Sequence, residues 1–505
     1  MGFIATCEIE CRNGTRGIQK MEAGMDEQGN LSRHGSLGGK FVIAAIIYAA
    51  MLLLVKRTIL RWPHDDRLAP FIDENFMSKK TITGQDARYE EIFSVEKEVS
   101  HAGGTLIEDL YPQLAVMRQD GAIYGGDLEK ALTGKPNRQF SKDRPHYTTL
   151  TFDTGSKVLL DNKTYSSAHY HEIPAVMMSI GHTILTMSGQ EHTRYRVAIQ
   201  PMMQREQAMN WWKDKWITPF VDQLVDAIAA RENPSTDLSL ALCARLPMHT
   251  VTAAYGLSSE EALDFRDNLL GSMAPQLTPE QRAGAVKKVR DVLLTAVTER
   301  RKERRDDLIS RLIDSPFKDA EGKASSLSDE DILSFSRLLL LAGGGTTFRQ
   351  MGILLFALLS NRDQLEDLRA DRSLMQGAIE ESLRWECTDP LFHRLSTRDS
   401  VLGGTEIPEG SYINVCLGAG NRDPERWEYP DRYNLHRPEQ RHLGFAAGAH
   451  SCLGRYVASA EMTSAVNALL DRLPNLRLDD RAPEPTRIIG ALQARGVNHL
   501  RVRFD

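Results

Sequence analysis

The chain has 505 residues, 41% of them hydrophobic and 26% charged, with a formal net charge of −6. That balance suits a globular protein long enough to bury a large core and gives no electrostatic reason to expect nucleic acid as a partner. The cysteines Cys7, Cys11, Cys243, Cys387, Cys416 and Cys452 are scattered with no C-x-x-C pair, which argues against a disulfide framework and favours a reducing compartment.

Met1–Lys40 is polar, glycine-rich and aperiodic, the composition of a disordered segment. Next comes Phe41–Val55, FVIAAIIYAAMLLLV, followed by Lys56, Arg57 and Arg61. A bilayer-spanning helix needs about twenty apolar residues, so the run is marginal. It reads either as a membrane anchor that leaves the bulk of the chain cytoplasmic or as a surface extension. Its basic residues follow the apolar run more densely than they precede it, unlike a signal peptide. From Asp73 to Lys163 short helical pieces mix with strand-like runs such as Thr148–Phe152. HTRYR, His192–Arg196, opens a helical segment with His192 and Arg196 on one face. Leu238–Leu270 and Pro279–Asp314 read as helices joined near Pro275, and ERRKERRDD, Glu299–Asp307, reads as a solvent-facing charged stripe.

Asp329–Leu359 is the most informative helix. Ser328 and Asp331 make a capping-box-like start, and AGGGTT, Ala342–Thr347, sits in the middle. Three successive glycines in a helix interior cost on the order of 3 kcal/mol relative to alanine. Small residues let a flat cofactor approach the backbone, and Thr346 can bond back to the Ala342 carbonyl. In EESLRWE, Glu381 and Arg384 are neighbours on one helical face. Val401–Ile407 and Ser411–Cys416 read as a hairpin around Pro408–Gly410.

Phe445–Gly454, FAAGAHSCLG, places glycines on both sides of one cysteine and precedes an apolar helical run, Leu453–Leu470. Gly448 permits backbone conformations that a side chain would block, and Gly454 is expected to let the chain turn tightly into the helix. A helix start near Cys452 favours a thiolate, and a thiolate held this way can be an axial ligand to heme iron.

Written as F-x-x-G-x-H-x-C-x-G, this loop resembles the heme-binding signature of the cytochrome P-450 family. AGGGTT is similar to the family's oxygen-binding groove, and E-x-x-R, GNRDP (Gly420–Pro424) and Tyr165–Ser167 occur in the family's order and look closest to bacterial members. The resemblance covers roughly Tyr89–Asp505, leaving 1–88 as an N-terminal extension with the anchor candidate at 41–55. It implies a mainly α fold with small β-sheets and a long central helix over heme b. Cys452 would be the proximal ligand, in a loop framed by Phe445, Gly448 and Gly454, and His192, Arg196, Arg394 and His450 would meet the propionates. Thr346 and Thr347 would act on the distal side, and Glu381, Arg384 and Arg432 (in WEYPDRY) would form a structural triad. The implied reaction is insertion of one oxygen atom from O2 into a hydrophobic substrate such as a terpenoid, steroid or fatty acid. Leu340, Leu341, Leu391, Phe392, Ile489 and Leu492 would line the pocket, and a ferredoxin or flavodoxin-type donor with its reductase would supply electrons. One departure stands out: the family usually carries an acid before the threonine, and here that residue is Gly345. The alternatives are a peroxide-using peroxygenase, an isomerase, or a noncatalytic heme-thiolate sensor.

Overall fold

The longest helix, Asp329–Ser360, starts where the sequence places it. Ser328 Oγ accepts the Asp331 N–H at 3.1 Å while the Asp331 carboxylate accepts the Ser328 N–H at 2.9 Å, so the reciprocal cap fixes the entry. In this computed structural model residues 4–9, 19–25, 31–32, 85–136 and 144–505 are described. Among them this is the single helix long and apolar enough to cross a membrane, and it is mostly buried inside the protein as a core element. Around this central helix pack Arg245–Ala254, Ser259–Met273, Pro279–Lys302, Met375–Trp385 and Arg455–Arg472.

Two units are distinguished, Met1–Ile72 and Asp73–Asp505. In the first, Ile4–Ile9 pairs antiparallel with Gln19–Met25, which pairs with Leu31–Ser32. The sequence leads one to expect disorder there; the β-branched Ile4, Thr6 and Ile9 supply local strand preference instead. The apolar run 41–55 lies outside the described residues. The second unit begins ahead of the Tyr89 boundary implied by the resemblance. Tyr89 falls inside the helix Asp86–Ile92 and is 1% exposed, because its hydroxyl meets His249 Nε2 at 3.0 Å and its ring lies under Arg245.

One mixed sheet has five strands, β1 (Ile123–Gly125), β2 (His146–Thr149), β3 (Tyr165–Ser166), β4 (Leu391–Ser396) and β5 (Tyr412–Cys416), in the spatial order β1-β2-β5-β4-β3. Here the expected hairpin is corrected. β5 pairs antiparallel with β4, Arg394 opposite Ile413, and parallel with β2. The actual hairpin is Ser400–Leu402 with Thr405–Ile407, turned by Gly403 and Gly404 at φ +56° and +82°, a conformation glycine adopts without strain.

Two helical expectations also change. The run from Leu238 to Leu270 is broken at Gly256, φ +67°, before a new cap at Ser258 begins the helix Ser259–Met273. The charged stripe is not wholly solvated: Arg300 and Asp307 are buried, and the Arg300 Nε–Asp307 Oδ2 bond is 2.6 Å. The helix ends at Lys302, and the turn brings Asp307 back onto Arg300.

Candidate active site

The Cys452 loop is held by its backbone. The Cys452 N–H donates to the Phe445 carbonyl at 2.9 Å, closing the loop on itself. Gly448 has φ +71°, and a Cβ there would run into the Leu159 carbonyl, so both conformation and close approach demand glycine. Ala446 also takes a left-handed φ of +55°. Gly454 does not behave as expected: its φ is −84° and a Cβ would meet no heavy atom within 4 Å, so the turn into the helix Arg455–Arg472 places no demand on it. Phe445 packs against the main core with Arg455 over its ring.

Cys452 is accessible by surface area, while the protein packed around its loop pushes the thiol above the ordinary value. The Gly454 and Arg455 amides and the Arg196 and Arg455 guanidiniums pull the other way. The helix start therefore does not by itself produce the expected thiolate; a coordinated metal would, since a thiol bound to a metal is deprotonated.

His192 and Arg196 share a face of the helix Gly189–Ile199, and the His192 ring lies 4.1 Å from that of His450. Arg196 Nη2 donates to the Ser451 carbonyl at 2.9 Å, and His450 Nε2 meets Ser167 Oγ at 3.2 Å. Arg394, on β4, is 5% exposed and donates to the His393 carbonyl. Burial, then the neighbouring cations, lowers His192 to about 4 and His450 to about 3. Among the described residues no carboxylate shifts either histidine, Arg196 or Arg394, and His192 Nε2 has no hydrogen-bond partner. Converging donors without an acid, His192 and Arg394 buried and Arg196 and His450 half-buried, suit a ligand that brings its own carboxylates. Together with the cysteine sulfur, that donor set fits heme b.

On the central helix Thr346 Oγ1 donates to the Ala342 carbonyl at 2.8 Å. Leu338, Leu339, Ala342, Gly343 and Thr346 are the incompletely buried positions of this stretch along with Leu341. Thr347 is buried, about 100° further round the helix, and is not brought to the face of Thr346. Leu340 is likewise buried on the core side, and the six expected pocket residues fall in three separate apolar clusters. Leu338, missed in the sequence, follows from the four-residue spacing to Ala342 and Thr346, and Leu339, also missed, from its three- and seven-residue spacing to the same two positions.

Glu381 is the centre of the buried ion network. Arg384 Nε and Nη2 bind its two oxygens at 2.7 and 2.8 Å, and the Asn434 N–H adds a bond at 2.9 Å. The third partner is Arg437, whose Nε lies 3.1 Å from both oxygens, and not Arg432. The Arg432 guanidinium sits over the exposed Tyr429 ring, while its carbonyl accepts from Arg384 and Arg437. Asn421 of GNRDP accepts the Leu443 N–H at 2.7 Å, tying this region to the chain just ahead of the cysteine loop.

The family profile described as Cytochrome P450 matches residues 143–490. The chain is 30% identical over 394 residues to Cytochrome P450 monooxygenase PikC of Streptomyces venezuelae, covering 75% of this chain and 87% of that protein. It is 31% identical over 314 residues to Steroid C26-monooxygenase of Mycolicibacterium smegmatis, covering 60% and 75%. In fold it resembles CYP109E1 from Bacillus megaterium, solved in complex with testosterone, with a TM-score of 0.66 and 23% identity over 79% of this chain and 99% of that one. The cysteine loop, the acid-free cationic cluster and these likenesses agree: the chain belongs to the cytochrome P450 family, as a heme-thiolate monooxygenase of bacterial type.

Proposed function

We propose that this monooxygenase inserts one oxygen atom from O2 into a hydrophobic organic molecule, using electrons from a separate ferredoxin or flavodoxin-type donor with its reductase. The observation that carries the site reading is the accessible Cys452 sulfur on a loop closed by its own backbone bond, with His192, Arg196, Arg394 and His450 gathered without an acid. Bound between these groups, heme supplies the reductive activation of O2. The chain's own part is to hold the sulfur through the Cys452–Phe445 bond, to neutralise two carboxylates, and to present the Thr346 hydroxyl. The absence of a flavin or iron–sulfur motif in the sequence supports an external electron source.

Leu338, Leu339 and Ala342 on the face of Thr346 favour an apolar substrate, in the range of terpenoids, steroids and fatty acids. The steroid monooxygenase relative supports the same range. A cytoplasmic setting for the catalytic unit is proposed with it. A second reading, direct use of peroxide, rests on Gly345, which supplies no acid beside Thr346.

Reduced protein under CO is expected to show the red-shifted Soret band of thiolate ligation, lost in Cys452→Ala. A variant that keeps the band sinks the ligand assignment. Turnover with NAD(P)H and a ferredoxin pair, against turnover with hydrogen peroxide, separates the two readings.

A further inference from the structure

Gly345 is buried, and what it faces is charged. A Cβ built on it would stand 3.1 Å from Arg266 Nη1 and 3.6 Å from Arg349 Nη1. These guanidiniums, 2% and 5% exposed, share one carboxylate, that of Glu98 on the helix Val95–His101. Arg349 Nη1 binds Glu98 Oε1 at 2.6 Å, and Arg266 Nη2 lies 3.8 Å from Glu98 Oε2. Arg349 is fixed further by Thr388 Oγ1 at 2.7 Å and Asp389 Oδ1 at 3.4 Å. The Arg266 guanidinium lies over the ring of Phe93, which meets Phe348 of the central helix edge-on.

The cluster is incompletely satisfied. Glu98 Oε2, Arg266 Nε and Arg266 Nη2 are buried with no hydrogen-bond partner among the described residues. A pair 3.8 Å apart with unused capacity on both sides is the setting in which a water bridges polar groups. Burial raises the Glu98 pKa, but Arg349 and Arg266 outweigh it and hold the carboxyl below its ordinary value, so it is ionised and attracts such a water near neutral pH.

We propose that Glu98 stands in for the acid absent at residue 345, holding water against Arg266 behind the glycine stretch and relaying protons toward Thr346. This rests on the monooxygenase reading above. Reduction of O2 with insertion of one oxygen consumes two electrons, from the redox donor, and two protons, which solvent supplies and the second oxygen carries away as water. Gly344 and Gly345, whose Cβ positions would stand 3.7 and 3.1 Å from Arg266 Nη1, put no side chain of their own between that guanidinium and the helix. The Thr346 hydroxyl spends its proton on the Ala342 carbonyl, so its lone pairs are free to accept from water. Glu98 is a positioning residue, acting through water and Thr346.

The test uses the full-length holoprotein as wild type, Glu98→Gln, Glu98→Asp and Glu98→Gln combined with Gly345→Asp. Urea unfolding reads placement without turnover. Glu98→Gln should lower the midpoint, and Gly345→Asp in the same chain should restore it, since its carboxyl is aimed at the same guanidiniums. The share of NAD(P)H electrons released as hydrogen peroxide reads proton supply. It should rise about threefold or more in Glu98→Gln and return toward wild type in the double variant and in Glu98→Asp. Lost stability with an unchanged peroxide share reduces Glu98 to a structural ion pair and overturns the proposal. A double variant that restores neither quantity overturns it as well. Should Glu98→Gln not fold, a peroxide share in Glu98→Asp as high as that of Thr346→Ala overturns it, and one near wild type supports it. A wild type without the thiolate–CO band refutes the monooxygenase reading instead, and the unfolding series still decides whether residues 98 and 345 share one site.

Discussion

Replacing Arg437 with alanine distinguishes the observed triad from the one suggested by sequence order. Glu381 and Arg384 have side chains 4% and 1% exposed, so their charges rely on protein partners. Arg437 gives Glu381 two contacts of 3.1 Å through Nε, and its Nη1 donates to the Glu428 carbonyl at 2.7 Å. Removing one partner from a buried ion pair costs about 3–5 kcal/mol. Here Arg384 stays bidentate on the same carboxylate, which argues for the lower end, about 3 kcal/mol, or roughly a hundredfold in the unfolding equilibrium. Arg432→Ala should cost within about 0.5 kcal/mol, because the carbonyl that serves the network survives the substitution. Urea unfolding with unchanged slope measures both, and the thiolate–CO band reports whether the cysteine loop stays in place. The reverse order, with Arg432→Ala the more damaging variant, refutes the assignment.

The two glycines of the cysteine loop should behave oppositely. Gly448→Ala, at φ +71° and against the Leu159 carbonyl, is expected to cost at least about 2 kcal/mol and to lower heme content, whereas Gly454→Ala should stay within about 0.5 kcal/mol. Glu461, 3% exposed, has its pKa raised from 4.5 to about 8 by burial. The folded state therefore holds a proton that the unfolded state has released, and this group's stability contribution is full below about pH 4.5 and lost as pH rises toward about 8. The difference in unfolding free energy between Glu461→Gln and wild type should grow in favour of the variant by up to about 1.4 kcal/mol per pH unit across that window; a pH-independent difference refutes it.

Features set by neighbouring residues were legible in the chain itself. The Ser328–Asp331 cap, the Thr346 bond to Ala342 and the Glu381–Arg384 pair each lie within a turn or so of helix, where backbone geometry dictates who meets whom. The cysteine loop was readable for a related reason: its residues bond to one another, and Gly448 answers to a local φ as well as to Leu159. Where the chain is irregular, spacing carries no direction. Within WEYPDRYNLHRP the sequence offers Arg432 and Arg437 alike, and only the path of the loop turns Arg437 inward and leaves Arg432 on Tyr429. Strand pairing shows the same limit, since β5 could close a hairpin locally or join β4 and β2, and the sheet chose the latter. The contact of Glu98 with Arg349, 251 residues apart, depends wholly on tertiary structure. A short amphipathic segment before Gly104 gives no sign of where its one buried carboxylate will go; packing of Phe93 between Arg266 and Phe348 sets that position.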